Sequence, residues 1–164
     1  MSGKKAQLID PRKEGRRALE LPRPLFDEAA IARADDTLKA LSGSMEQWLD
    51  ADIEKLQQAR TAAAAECWSA AALEALMSAA HDLKGMGATY GFPIITQIAA
   101  SLCRLIETDA GKDVTRRDPT LVCAHVDALR ASARDKIREA HHPIGRALLV
   151  ALETHVERLG VAPR

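Results

Sequence analysis

Apolar residues recur along this chain at alternating three- and four-residue intervals, the spacing of one face of an α-helix and not the two-residue alternation of a strand. Six helices and no strand are predicted. The first covers about residues 27–41, with Ile31, Ala34, Leu38 and Leu41 on one face, and Ser42-Gly43-Ser44 is expected to break it. Ser44 and Gln47 have the spacing of a capping box for a second helix, in which Met45, Leu49, Ile53 and Leu56 are placed for burial and which fades near Glu66. Ser69 can cap a third helix that reaches about Tyr90. Gly91-Phe92-Pro93 then turns the chain, and Pro93 suits the first turn of a fourth helix carrying Ile94, Ile98, Leu102 and Leu105 and stopping at Gly111. Residues 110–117 read as a polar loop. Asp118-Pro119 opens a fifth helix, with Val122, Val126, Leu129 and Ala133 facing inward. Pro143 interrupts it or starts a sixth, carrying Leu148, Leu152, Val156 and Leu159. Short connections between long amphipathic helices favour antiparallel neighbours. The expected fold is therefore all-α, an up-down antiparallel four-helix bundle with accessory N-terminal and C-terminal helices.

Composition narrows this further. At 164 residues the chain can hold one continuous core. Its aromatic content of 3% and abundant alanine suit close-packed helices and argue against a sandwich or barrel. The 23 basic and 23 acidic side chains balance, which argues against a nucleic-acid partner. The exception is residues 1–24, where Lys4, Lys5, Arg12, Lys13, Arg16, Arg17 and Arg23 outnumber Asp10, Glu14 and Glu20. That stretch is expected to be a flexible basic arm ahead of a helical domain over 25–160. Cys67, Cys103 and Cys123 form no CxxC pair, so they suggest neither a disulfide framework nor a zinc site, and they read as small hydrophobes of a reducing compartment. With no signal-peptide pattern and no run approaching 18 apolar residues, a soluble, cytoplasmic chain with no membrane partner is expected.

The chemistry concentrates in the third helix. At about 100° per residue, Leu73, Leu76, Ala80, Leu83, Gly87 and Tyr90 define its core stripe, and His81 lies roughly 130° from the centre of that stripe. His81 should face outward, sharing its side with Glu74, Met77, Ser78, Lys84, Gly85 and Ala88. An uncharged imidazole is nucleophilic without a partner base. Asp82 is adjacent in sequence but about 100° around the helix, so it is a poor orienter. Lys84 stands one turn from His81, where an ammonium would offset the roughly two negative charges of a phosphoryl group. A glycine inside a helix costs about 1 kcal/mol against alanine, and at Gly85 it buries nothing. Its bare backbone clears an approach path to His81. Gly87, on the core face, permits close helix contact.

The other histidines suggest less. His125, between Val122 and Leu129, reads as a core or flanking histidine with a hydrogen-bonded partner. His141 and His142 precede Pro143 at a polar helix end, and His155 sits at the edge of an apolar face. Glu139 and His142 make a single Glu-x-x-His, whereas di-metal bundles need that motif on two helices with further carboxylates, so no metal is expected. No glycine-rich phosphate loop is present, which argues against autonomous kinase activity, and no hydrolase arrangement is evident.

The run His81, Leu83, Lys84, Gly85, Gly87, Ala88 and Gly91, followed by Phe92-Pro93 and a helix to Glu107, resembles the pattern of the histidine-containing phosphotransfer (Hpt) domains of two-component phosphorelays. The motif-bearing likeness covers residues 75–107 and extends loosely to about 27–139. It implies that His81 accepts a phosphoryl group from the aspartyl phosphate of a receiver domain and passes it to another receiver, with Lys84 stabilising the group. It implies response-regulator receivers and a hybrid histidine kinase as partners, no cofactor bound by this chain, and Mg²⁺ held by the receiver. Glu74, Met77, Ser78, Gly85 and Ala88 are the expected docking positions on a monomer. Family members often carry Gln or Glu on the next helix, 22 residues after the phosphorylated histidine. Here that position is Cys103, and Gln97 and Arg104 are the candidates to take its place beside it. The rival reading is a helical adaptor or dimerisation module whose histidine is never phosphorylated.

Overall fold

A computed structural model describes residues 28–160, all of whose regular structure is helical. The basic arm expected over 1–24 lies outside the described residues. The helices are α1 (Glu28–Ala65), α2 (Ala70–Met86), α3 (Pro93–Glu107), α4 (Asp109–Arg117), α5 (Thr120–Arg134) and α6 (Pro143–Arg158). The chain divides into two units, 1–39 and 40–164. In the first, residues 28–39 are described, all helical and almost all exposed.

Two expectations are corrected at the ends of this arrangement. The first and second expected helices are one, since α1 runs through Ser42-Gly43-Ser44 without a break. Ser44 does not cap. Its hydroxyl donates to the Ala40 carbonyl at 3.1 Å, as Thr37 does to Arg33 at 2.8 Å, so both side chains follow the helix. One Gly costs only about 1 kcal/mol among the helix formers on either side, too little to stop the helix. The apolar face of Ile31, Ala34, Leu38 and Leu41 is exposed, with Ile31, Leu38 and Leu41 at 49%, 62% and 44%. Burial on α1 begins at Leu49 and continues through Ile53, Leu56 and Ala63.

The second correction concerns residues 110–117, expected as a loop, which form most of α4. The Thr108 hydroxyl accepts from the Gly111 N–H at 3.1 Å, Asp109 lies in the first turn, and Arg116 and Arg117 lie in the last, so both ends suit the helix dipole. A Cβ on Gly111 would fall 1.7 Å from the Leu105 carbonyl oxygen, so only glycine lets the chain turn this tightly out of α3.

At the centre lies α3, packed against α2, α4, α5 and α6. Ile94, Ile95, Ile98, Ala99, Leu102, Leu105 and Ile106 are all buried, as expected of a helix apolar on most of its circumference. The predicted core stripe of α2 is buried throughout, as are Val122, Val126, Leu129 and Ala133 of α5. Pro143 starts α6, which buries Leu152 and Val156. Between α1 and α2, Cys67 and Trp68 take left-handed backbone angles (φ 51° and 57°) at an intrinsic cost of about 1–2 kcal/mol each. The burial of Trp68, and its N–H donating to the Ala63 carbonyl at 2.7 Å, hold that turn. Further along, the Tyr90 hydroxyl donates to Asp52 on α1 at 2.9 Å. Arg60 pairs with Asp127 across to α5 at 2.6 Å.

Candidate functional site

Helix α2 presents the site. Ser69 caps it, its hydroxyl oxygen accepting from the Ala72 N–H at 3.2 Å. Leu73, Leu76, Ala80 and Leu83 are buried, which fixes the rotation of the helix about its axis. That rotation leaves His81, Lys84, Gly85, Glu74, Ser78 and Ala88 exposed and Met77 half-buried, as their helical spacing predicted. Nothing lies within 4 Å of a Cβ built on Gly85, so the backbone beside His81 is open to an incoming molecule. The same test at Gly87 gives the opposite result. A Cβ there would stand 2.9 Å from both the backbone nitrogen and the hydroxyl oxygen of Thr96. Bare backbone at Gly87 thus lets the end of α2 close on the start of α3, where the Thr96 hydroxyl accepts from the Ala88 N–H at 2.9 Å. Regular α-helix ends at Met86, short of the expected Tyr90, and hydrogen-bonded turns carry the chain on to Gly91 at φ 85°.

His81 borders a hollow of about 300 Å³ between α2 and α3, lined also by Met77, Lys84, Ala100, Cys103, Arg104 and Glu107. Of the three residues expected to stand near His81 from the next helix, Cys103 and Arg104 reach this hollow. Gln97 lines a different one, with His141 and Arg146. Cys103 is only 2% exposed, and burial pushes its thiol up to about 11 against the opposing pull of Lys84. It therefore stays protonated at neutral pH and is a poor nucleophile. Arg104 pairs with Glu153 of α6 through Nη2, while its buried Nε–H meets no acceptor among the described residues. Ala100, Glu107 and Glu153 were not singled out from the sequence. Helical spacing from Cys103 points to the first two once that residue is known to face His81. Nothing in the sequence points to Glu153.

His125 is placed very differently. It is fully buried, its Nδ1 2.7 Å from the Leu121 carbonyl and its Nε2 3.0 Å from the Ser101 hydroxyl. A carbonyl only accepts, so Nδ1 carries the proton and Nε2 accepts from Ser101. Burial lowers its pKa to about 4, so it stays neutral and is inaccessible. Among the described residues no group of three or more His, Cys, Asp or Glu side chains is arranged to hold a metal. No helix among them is long and apolar enough to cross a membrane.

The arrangement can therefore offer one accessible imidazole, flanked by a cation and an unobstructed backbone, to a reacting group carried by another macromolecule. Residues 40–132, more than half of the chain, match the family model of the Hpt domain. The chain belongs to the Hpt domain family, whose members take part in phosphotransfer in two-component signalling. No curated protein and no solved structure matches it.

Proposed function

We propose that this chain relays a phosphoryl group between receiver-domain aspartates through phospho-His81. The observation that carries the reading is the outward His81, held opposite a fully buried helix face and beside the open backbone of Gly85, in a chain of the Hpt family. In the first half-reaction a ring nitrogen of His81 attacks the phosphorus of a receiver's aspartyl phosphate. An N–P bond forms, the acyl O–P bond breaks, the aspartate leaves as carboxylate, and the ring's N–H proton passes to solvent. The second half-reaction reverses this on another receiver. Charge and alignment dominate such a transfer, with little acid–base work for the protein. Lys84 neutralises part of the phosphoryl charge, and the Mg²⁺ that assists belongs to the receiver.

The receiver docks over Glu74, Met77, Ser78, Gly85 and Ala88. This interface belongs at the small, transient end, on the order of 1,200 Å² in total. A hybrid histidine kinase would supply the phosphoryl group to the first receiver. In this reading α2, α3, α5 and the C-terminal half of α1 form the up-down antiparallel four-helix bundle, with α6 accessory, and the chain acts as a cytoplasmic monomer. The test is incubation with a phosphorylated receiver and Mg²⁺. A relay protein gains an acid-labile, base-stable phosphate and yields it to a second receiver. Failure to gain it from any receiver of the source organism overturns the reading in favour of an adaptor.

A further inference from the structure

We propose that Arg104 is a second cation for the phosphoryl group on His81, released from Glu153 as that group arrives. The inference rests on His81 being the phosphoacceptor. Four observations carry it. Arg104 lines the same hollow as His81 and Lys84. Its side chain is only 17% exposed and is paired with Glu153. That pair engages Nη2 and leaves the buried Nε–H without an acceptor among the described residues, so the guanidinium keeps donor capacity that a shift of the side chain could bring to a new acceptor. Glu153 belongs to α6, which lies beyond the residues matching the family model, so the device joins Arg104 of the matched region to a partner outside it.

Charge supplies the driving force. The charged groups around the empty site are Lys84 and Arg104 against Glu107 and Glu153, which cancel. Phosphorylation of His81 adds about two negative charges. A dianion with three acceptor oxygens competes well with one carboxylate for a planar guanidinium, which can meet it with two parallel N–H donors. No proton or electron moves in this exchange. Arg104 gives up one oxygen acceptor for others, and the Glu153 carboxylate, whose side chain is 22% exposed, turns to water. Cys103, neutral and buried, adds no charge that would oppose it.

The test uses the whole chain and phosphoramidate, a small donor whose N–P bond breaks to release ammonia as the new N–P bond forms on His81. The Arg104 Nε–H resonance, assigned by its loss in Arg104→Lys, should move downfield on phosphorylation of the wild type. The ³¹P titration midpoint of the phosphoryl group should rise by about half a pH unit or more in Arg104→Gln, because a nearby cation favours the dianion. Arg104→Lys should recover part of that shift, and Glu153→Gln should lower the midpoint below wild type. A stationary Arg104 resonance and an unchanged midpoint in Arg104→Gln overturn the inference while leaving His81 as acceptor. A midpoint above wild type in Glu153→Gln overturns the exchange, since Glu153 would then be holding Arg104 in place. A wild-type chain that takes up no phosphoryl group overturns the phosphoacceptor reading itself.

Discussion

Two histidines on two sides of α3 show how one side chain is assigned opposite tasks by its surroundings. His125 faces α3 from α5, sealed in the core with both ring nitrogens engaged and its pKa lowered to about 4. His81 stands on α2, exposed at the rim of the hollow between α2 and α3, beside an open glycine and a lysine. The interior histidine spends its hydrogen-bonding capacity on packing, and the surface histidine keeps its lone pair available. Reactivity here depends on access, and access is set by which way the apolar stripe turns the helix.

The sharpest way to break the comparison is to remove the surface imidazole. His81→Gln is expected to abolish phosphate acceptance from a phosphorylated receiver while changing stability by no more than about 0.5 kcal/mol, since an exposed side chain holds little of the fold. Full acceptance by the variant would show that access to His81 is not what matters. The interior histidine predicts the reverse pattern. Its folded-state pKa lies below the unfolded value, so the stability it contributes is present above about pH 6.5 and lost as pH falls towards 4. A drop of about 2.5 pH units in pKa corresponds to stability on the order of 3 kcal/mol over that window. Urea unfolding of the wild type and His81→Gln should show this acid slope, and His125→Leu should flatten it. An equal slope in all three would exclude His125 as its source.

The two glycines repeat the contrast within a single turn of backbone. Gly87→Ala must push a Cβ against Thr96 and should destabilise by about 1–3 kcal/mol. Gly85→Ala meets nothing and should stabilise by at most about 1 kcal/mol, read from the same unfolding curves. The bulkier Gly85→Gln should keep the fold and weaken receiver binding in titration calorimetry. Smallest of all is the expected effect of Lys84→Ala, a several-fold slowing of transfer or shortening of phosphate lifetime, on the order of 1 kcal/mol in a barrier. Unchanged transfer kinetics would remove Lys84 from the mechanism.

Most of the site was legible in the sequence because it depends on one well-defined period. Leu73, Leu76, Ala80 and Leu83 fix the buried stripe, and the outward position of His81 follows by arithmetic. The tight contact at Gly87 was legible for the same reason. Periodicity failed where burial does not follow it. Ile31, Leu38 and Leu41 have core spacing yet remain exposed, because a repeating pattern states which residues share a face and not whether another element covers it. The helix over 109–117 was missed because its sequence is polar almost throughout. Its signals were the Thr108 cap, Asp109 at one end and two arginines at the other. The Arg104–Glu153 pair spans 49 residues and two helices, a distance at which local pattern has no reach.

The most direct measurement is the location of the phosphate after transfer. The chain is incubated with a phosphorylated receiver and Mg²⁺, digested at alkaline pH and sequenced by tandem mass spectrometry under conditions that preserve phosphohistidine. Of the five histidines, His81 alone is predicted to carry the group. Phosphate on His125, His141, His142 or His155 with His81 unmodified would contradict the account.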